Sequence, residues 1–252
     1  MTLGTRVKPA SSTPGIRQSS PLYADAEIIL PMWDGAGATV QDVSPNTFTA
    51  NITGAAWSAG SYGHQLTFDP AAPLNDKVEI ANDAKFATVD DFTIAVLINP
   101  DLADVTSSIL EVYDAVTTDG YAIRQANFGS GAFAFFSIVA GTSVFAYSDC
   151  NPVPGTWYLL VGRRTGTAVE MFIDGDLQTH DAVSTGQIAS TCPFLLGINV
   201  ATGGDWDGDI AFAGMWSRAL STVEIEALSK DVFKMVRKVK RRRSIEDRLI
   251  MS

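Results

Sequence analysis

From Glu27 onward, apolar and polar residues alternate with a period of two in short runs rich in Val, Ile, Phe and Thr, each closed by turn residues. Such alternation puts successive side chains on opposite faces of an extended chain, so the runs predict strands rather than helices. The predicted strands are 27–33, 46–53, 64–69, 77–81, 91–98, 108–113, 120–125, 131–139, 142–148, 156–163, 167–173, 194–199 and 207–217. No helical period intervenes between them. A parallel sheet needs crossover helices, so the pattern implies antiparallel sheets packed face to face.

Several joints carry a mechanism. Asp174-Gly175 suits the positive-φ positions of a two-residue hairpin turn, and Thr165-Gly166-Thr167 can turn the preceding pair. In the last strand, strict alternation sends Ile210, Phe212 and Trp216 to one face and Ala211, Ala213 and Met215 to the other. Small residues on that second face admit close approach of another layer. Ser221-Thr222-Val223-Glu224 reads as a capping box, in which hydroxyl and carboxylate each satisfy a free helix N–H. Ile225, Leu228, Val232 and Met235 follow at helical spacing. The spacing predicts a helix at 221–229 on the sandwich edge. A basic continuation toward residue 242, or further short helices, fits the rest equally well.

Composition bounds this picture. The chain has 252 residues, 46% hydrophobic and 18% charged, which fits one large all-β domain or two small ones. A domain of about 200 residues buries roughly 70% of its unfolded surface, so a core is available without disulfides or metal. No window approaches the roughly 18 uninterrupted apolar residues of a membrane span, so no membrane partner is expected. The segment MTLGTRVKPASSTPG has no apolar stretch, so no secretory signal is expected either. Cys150 and Cys192 are the only cysteines, too few for a disulfide scaffold, and are expected to be reduced.

The net charge of −10 hides a division. Residues 1–22 carry Arg6, Lys8 and Arg17 without an acid, a net +3. Residues 230–252 carry a net +6, with Lys234, Arg237, Lys238, Lys240, Arg241, Arg242 and Arg243 among their bases. The body, 23–229, carries −19. The division suggests an extended arm at 1–22, one domain at 23–229 and a basic helix or tail at 230–252. The basic ends are either solvated or docked on an acidic partner. Nucleic acid is the less favoured partner, because KMVRKVKRRR lacks interleaved aromatics and the acidic body would repel it.

The order of these elements resembles the laminin G-like or concanavalin A-like jelly rolls, and above all the single-domain form of tailed-bacteriophage virion proteins. The likeness rests on ILPMWDGAGATVQD, AAWSAGSYGHQLTFD, DFTIAVLINP, GTWYLLVGRR, VEMFIDGDL, LLGIN, Gly208-Asp209-Ile210 and RALSTVEIEAL. It departs from the family where Asp34 replaces a usual Glu, where Val96-Leu97 replace an aromatic, and where Ala211 replaces an Asp. The resemblance implies an antiparallel jelly-roll sandwich over residues 22–229 with a short C-terminal helix. It leaves function open, since this fold serves lectins, hydrolases, adhesion modules and virion proteins alike.

No residue set specifies catalysis. The Glu-x-Asp-x-x-Glu strand signature of glycan hydrolases on this fold is absent, and Glu111 and Asp114 are out of phase on their strand. His64 and His180 are the only histidines, and no zinc spacing occurs. Asp205, Asp207 and Asp209 alternate through a Gly-containing loop, the pattern of a rim calcium site, although they fail as an EF-hand. Trp206, Tyr121, Tyr147 and Tyr62 lie in or beside turn-like segments and are the candidate glycan platforms. Trp33, Trp57, Trp157 and Trp216 are expected to pack internally. The resulting expectation is a non-enzymatic accessory protein of a tailed-phage virion, in a large assembly with capsid, neck or tail proteins. Its basic ends would anchor it and its jelly roll would be displayed. The alternative is a carbohydrate-binding module for surface glycan.

Overall fold

The computed structural model describes residues 20–70, 75–88, 91–102, 106–114, 116, 118–126, 132–188, 192–198 and 204–236. Its strands are β1 (Ala26–Leu30), β2 (Thr39–Gln41), β3 (Thr49–Thr53), β4 (Ala56–Gly60), β5 (Gly63–Phe68) and β6 (Lys77–Ile80). Then come β7 (Phe92–Pro100), β8 (Ser107–Asp114), β9 (Asp119–Gln125), β10 (Phe133–Val139), β11 (Thr142–Tyr147) and β12 (Tyr158–Thr165). The last are β13 (Ala168–Ile173), β14 (Asp176–Leu177), β15 (Ala182–Val183), β16 (Phe194–Leu196) and β17 (Gly208–Trp216). Two helices, α1 (Pro21–Ala24) and α2 (Thr222–Lys230), lie outside the strands. Each predicted strand is present. The four unforeseen strands, β2, β4, β14 and β15, have two to five residues each and sit at or beside sheet edges.

The first sheet runs β14-β13-β12-β7-β17-β5-β4, with β1 added along β17 and β15 along β13; the second runs β11-β10-β9-β8-β16-β6-β3-β2. The pairs are antiparallel, and the two sheets form a jelly-roll sandwich. Period-two alternation explains the packing. On β7, Ile94, Val96 and Ile98 join the core between the sheets, while Ala95 and Leu97 face the other way. Gly162 on β12 marks a close approach of the layers: a Cβ there would come within 2.4 Å of the Phe135 ring. At the Asp174-Gly175 turn both residues have positive φ, 53° and 92°, as the hairpin reading requires.

The alternation of β17 departs from its sequence pattern. Ile210 pairs with Ile98, but Phe212 pairs with Leu97, so Ala211 is the extra residue of a β-bulge. The bulge resets the phase: Ile210, Ala213 and Met215 face the inner core, and Ala211, Phe212 and Trp216 face outward. The expected division of faces is corrected by that one residue.

The outward face of the first sheet is covered by a third layer. Tyr23, Trp33, Val43, Trp216, Leu220, Ile225, Leu228 and Phe233 form a second cluster there, built largely from the start and end of the described chain. The capping box of α2 forms: Ser221 Oγ accepts from Glu224 N, and Glu224 Oε2 accepts from Ser221 N at 2.9 Å. Arg218 clamps the layer by donating to both Glu224 oxygens at 2.7 and 2.9 Å, to Asp25 at 3.0 Å and to the Pro21 carbonyl at 3.0 Å. Cys150 and Cys192 are not joined in a disulfide. Among the described residues no helix is long and apolar enough to cross a membrane.

Candidate functional site

Among the described residues no helix-bearing layer covers the outward face of the second sheet, although its Ser108, Glu111, Ala122, Ala134 and Leu195 are buried, and strand register assembles its side chains into two rows. One row crosses Ser108, Arg124, Ala134 and Tyr147 and ends at His180, bridged to Tyr147 beyond the sheet edge. The next crosses Leu195, Glu111, Ala122, Phe136 and Phe145. All lie out of phase with the inner-core residues Tyr121, Ile123, Phe133 and Phe135, so they share the outer face.

Three rings define the site. Phe136 and Phe145 are direct cross-strand partners with centroids 5.2 Å apart, and Tyr147 follows Phe145 at 6.0 Å. All three are half-buried, so part of each ring meets solvent. The His180 ring stacks on Tyr147 at 4.0 Å with an interplanar angle of 4°. His180 Nε2 lies 2.8 Å from Asp149 Oδ1, and Thr179 Oγ1 donates to Asp149 Oδ2 at 3.1 Å. These bonds hold the exposed Asp149 carboxyl below the usual carboxylate range.

At the other end the rings meet a charged pair. The Arg124 guanidinium lies 5.0 Å above the Phe136 ring, with the small Ala122 and Ala134 leaving it room. Its Nη2 donates to Glu111 Oε2 at 2.8 Å, and Ser108 Oγ donates to the same oxygen at 2.9 Å. Glu111 is fully buried, and among the described residues its Oε1, like Arg124 Nε, has no hydrogen-bond partner. Burying that carboxylate would be prohibitive without the guanidinium beside it.

Among the residues expected to act as glycan platforms, only Tyr147 falls on this face. Trp206 is 1% exposed and packs in the inner core, its backbone N–H donating to the Gly197 carbonyl at 2.8 Å. Tyr121 is fully buried, its hydroxyl donating to the Phe86 carbonyl, and desolvation pushes its pKa well up. Tyr62 is 5% exposed and packs edge-on against Trp157 within the third layer. The expected exposure of these three is therefore corrected: a turn-adjacent position does not keep a ring in solvent when the turn folds back on the sandwich. Trp33 and Trp216 are buried as expected, in the third layer, and Trp57 and Trp157 are half-buried against the two clusters.

Among the described residues, no group of three or more His, Cys, Asp or Glu could hold a metal ion. Asp209 is engaged within the first sheet, accepting from Thr67 Oγ1 at 2.6 Å and Asn99 Nδ2 at 3.4 Å. Asp207 is pushed up by burial and then by Asp101 and Asp69. Of the anchoring residues, Lys234 is exposed beside the third layer; Arg6, Lys8, Arg17, Arg237, Lys238, Lys240, Arg241, Arg242 and Arg243 lie outside the described residues. A hollow lined by Arg163, Glu170, Arg218 and Glu224 holds no unpaired charge, since each arginine grips its glutamate through both oxygens.

A two-sheet jelly roll with a half-exposed aromatic row across one sheet defines a lectin-like β-sandwich. The sequence profile of the concanavalin A-like lectin/glucanases superfamily (Laminin_G_3) matches residues 73–226, and the chain belongs to that family. No curated protein matches it in sequence. Among solved structures it is similar to the binding domain of Paraclostridial Mosquitocidal Protein 1, with TM-score 0.69 and 14% identity over 84% of this chain and 53% of that one. It is also similar to domain 4 of AbnA, an extracellular arabinanase from Geobacillus stearothermophilus solved with arabinotriose, at TM-score 0.66 and 14% identity, covering 81% of this chain and 98% of that one. The botulinum neurotoxin serotype G binding domain matches at TM-score 0.65 and 14% identity, over 81% of this chain and 50% of that one. The chain thus spans about half of each toxin binding domain, and at these identities the likeness is one of fold.

Proposed function

We propose that this chain is a non-enzymatic carbohydrate-binding module whose ligand lies along the Phe136–Phe145–Tyr147 row. The observation that carries the reading is the row itself: three rings, each partly exposed, between a guanidinium and an exposed carboxylate. Sugar rings recognise such surfaces by laying C–H faces on aromatic faces while their hydroxyls reach polar neighbours. The similarity to an arabinanase domain solved with arabinotriose makes arabino-oligosaccharides a sensible first probe. The test is titration of the full chain with oligosaccharides chosen from a glycan array. Wild type should bind, and Phe145→Ala and Tyr147→Ala should each lose about tenfold or more in affinity while unfolding at nearly the wild-type temperature. Equal binding by both variants, or no binding by wild type, would overturn the assignment.

A second reading is compatible with the first and places the module on a tailed-phage virion, held by its ends. A groove of about 430 Å³ is lined by Ser20, Pro21 and Leu22 from one end of the described chain and by Val223, Ala227 and Met235 from the other. Ser20 and Met235, at or next to the two ends of the described residues, therefore lie at one groove, on the side opposite the aromatic row. Deleting either segment should abolish attachment to particles without altering the unfolding transition; unchanged incorporation of both truncations would end this reading.

A further inference from the structure

We propose that the aromatic face selects uncharged sugars over acidic ones, an inference that rests on the glycan-binding reading and narrows it. The argument is an account of charge on the outer face of the second sheet. Among the described residues of its strands, the outward cations are Arg124 on β9 and Lys77 on β6. Arg124 is paired with the buried Glu111 at 2.8 Å, and Lys77 with its outward neighbour Glu79 at 2.6 Å. At the edge, His180 lies against Asp149. Both strand cations thus already face a carboxylate, and the Arg124 charge is compensated from beneath by a partner that solvent cannot reach.

A uronate, sialate or sulfate group needs a cation with free donors, which is why Arg is selected wherever planar anions are bound. Here such a group would meet only compensated cations and the exposed Asp149, on a body that carries −19 over residues 23–229. The repulsion would cost affinity at low salt. An uncharged sugar meets no such penalty. Its hydroxyls can donate to Asp149, while its apolar face covers Phe145 and Tyr147. Glu111 acts as a positioning residue, holding the guanidinium flat over Phe136 and cancelling its charge.

The experiment measures binding of the full chain to matched pairs of neutral and acidic oligosaccharides at low and high salt. The neutral member should bind about tenfold more tightly at low salt, with its own affinity changing less than about twofold between roughly 50 and 500 mM NaCl. An acidic member that binds as well as the neutral one, or neutral binding that collapses with salt, overturns the selectivity and leaves the glycan-binding reading standing. Failure of every sugar overturns the reading underneath as well. A Glu111→Gln variant supplies an independent readout. It removes the compensating charge and keeps an acceptor for Ser108, so the neutral-to-acidic preference should fall about fivefold or more. An unchanged preference in a folded variant would show that the pair does not set it.

Discussion

The two sheets of this sandwich are alike between the layers and opposite on their outer faces. The outward side of the first sheet carries Leu97, Val161, Phe172, Phe212 and Trp216 and is sealed by the third layer. The outward side of the second sheet also carries large rings, yet among the described residues nothing seals Phe136, Phe145 or Tyr147 completely. Apolar area buried beneath a third layer stabilises the fold at about 25 cal/mol per Å². The same kind of area left at a solvated surface stabilises nothing until something binds it. Hydrophobic content alone therefore does not tell a structural face from a recognition face. What tells them apart is which one the chain returns to cover.

Mutation can break that contrast, and the sealed face should respond most. Trp216→Ala removes a fully buried ring and the bond from its Nε1 to the Leu22 carbonyl, so denaturant unfolding should register a loss of about 3–5 kcal/mol. A smaller loss, about 3 kcal/mol, is expected from Arg124→Ala, which strands the buried Glu111. Exchanging both partners, Arg124→Met with Glu111→Leu, should recover most of that stability while changing the sugar preference, which separates the structural share of the pair from its recognition share.

Glu224→Gln should cost about 1 kcal/mol at neutral pH, since the clamp is partly solvated and screened. The Arg218 bonds lower the Glu224 pKa from 4.5 to about 2. Because the folded value is the lower one, the carboxylate's contribution is complete above about pH 4.5 and is lost as pH falls through about 2. Wild type and variant should therefore converge in acid, measured as unfolding midpoints across pH. The smallest effect on stability belongs to Tyr147→Ala, less than about 1 kcal/mol, even though it should be among the most damaging to binding. If Tyr147→Ala instead destabilised as much as Trp216→Ala, the contrast between the faces would be wrong.

The sequence revealed the fold far better than the site, and particular residues explain why. Alternation is a local property, so every long strand was legible, and the capping box announced α2. The β17 bulge was not legible, because Ala211 resets the phase without any mark in the alternation itself. The burial of Trp206, Tyr121 and Tyr62 depends on which segments fold over them, which no local pattern encodes. Tyr147 was found by its place beside a turn. Phe136 and Phe145 were missed, though β10, Phe-Ala-Phe-Phe-Ser-Ile-Val, carries aromatic residues on both faces. In a strand with one face in the core, an aromatic on the other face is the clue that was available. Arg124 and Glu111 needed the register of β8 and β9, which the sequence leaves free.

Ser20 and Met235, at or next to the two ends of the described residues, line a single groove, and that sets an orientation. Under the anchoring proposal, the aromatic row points away from the attachment, like the bristles of a brush fixed by its back. A crowd of such copies would present many shallow contacts to one opposing surface. Linked contacts of this kind multiply, so weak individual grips can sum to avidity about a hundredfold or more above any one of them. Under the glycan-binding proposal, a flat row of half-exposed rings with only a modest grip on each sugar would then suffice for firm adhesion.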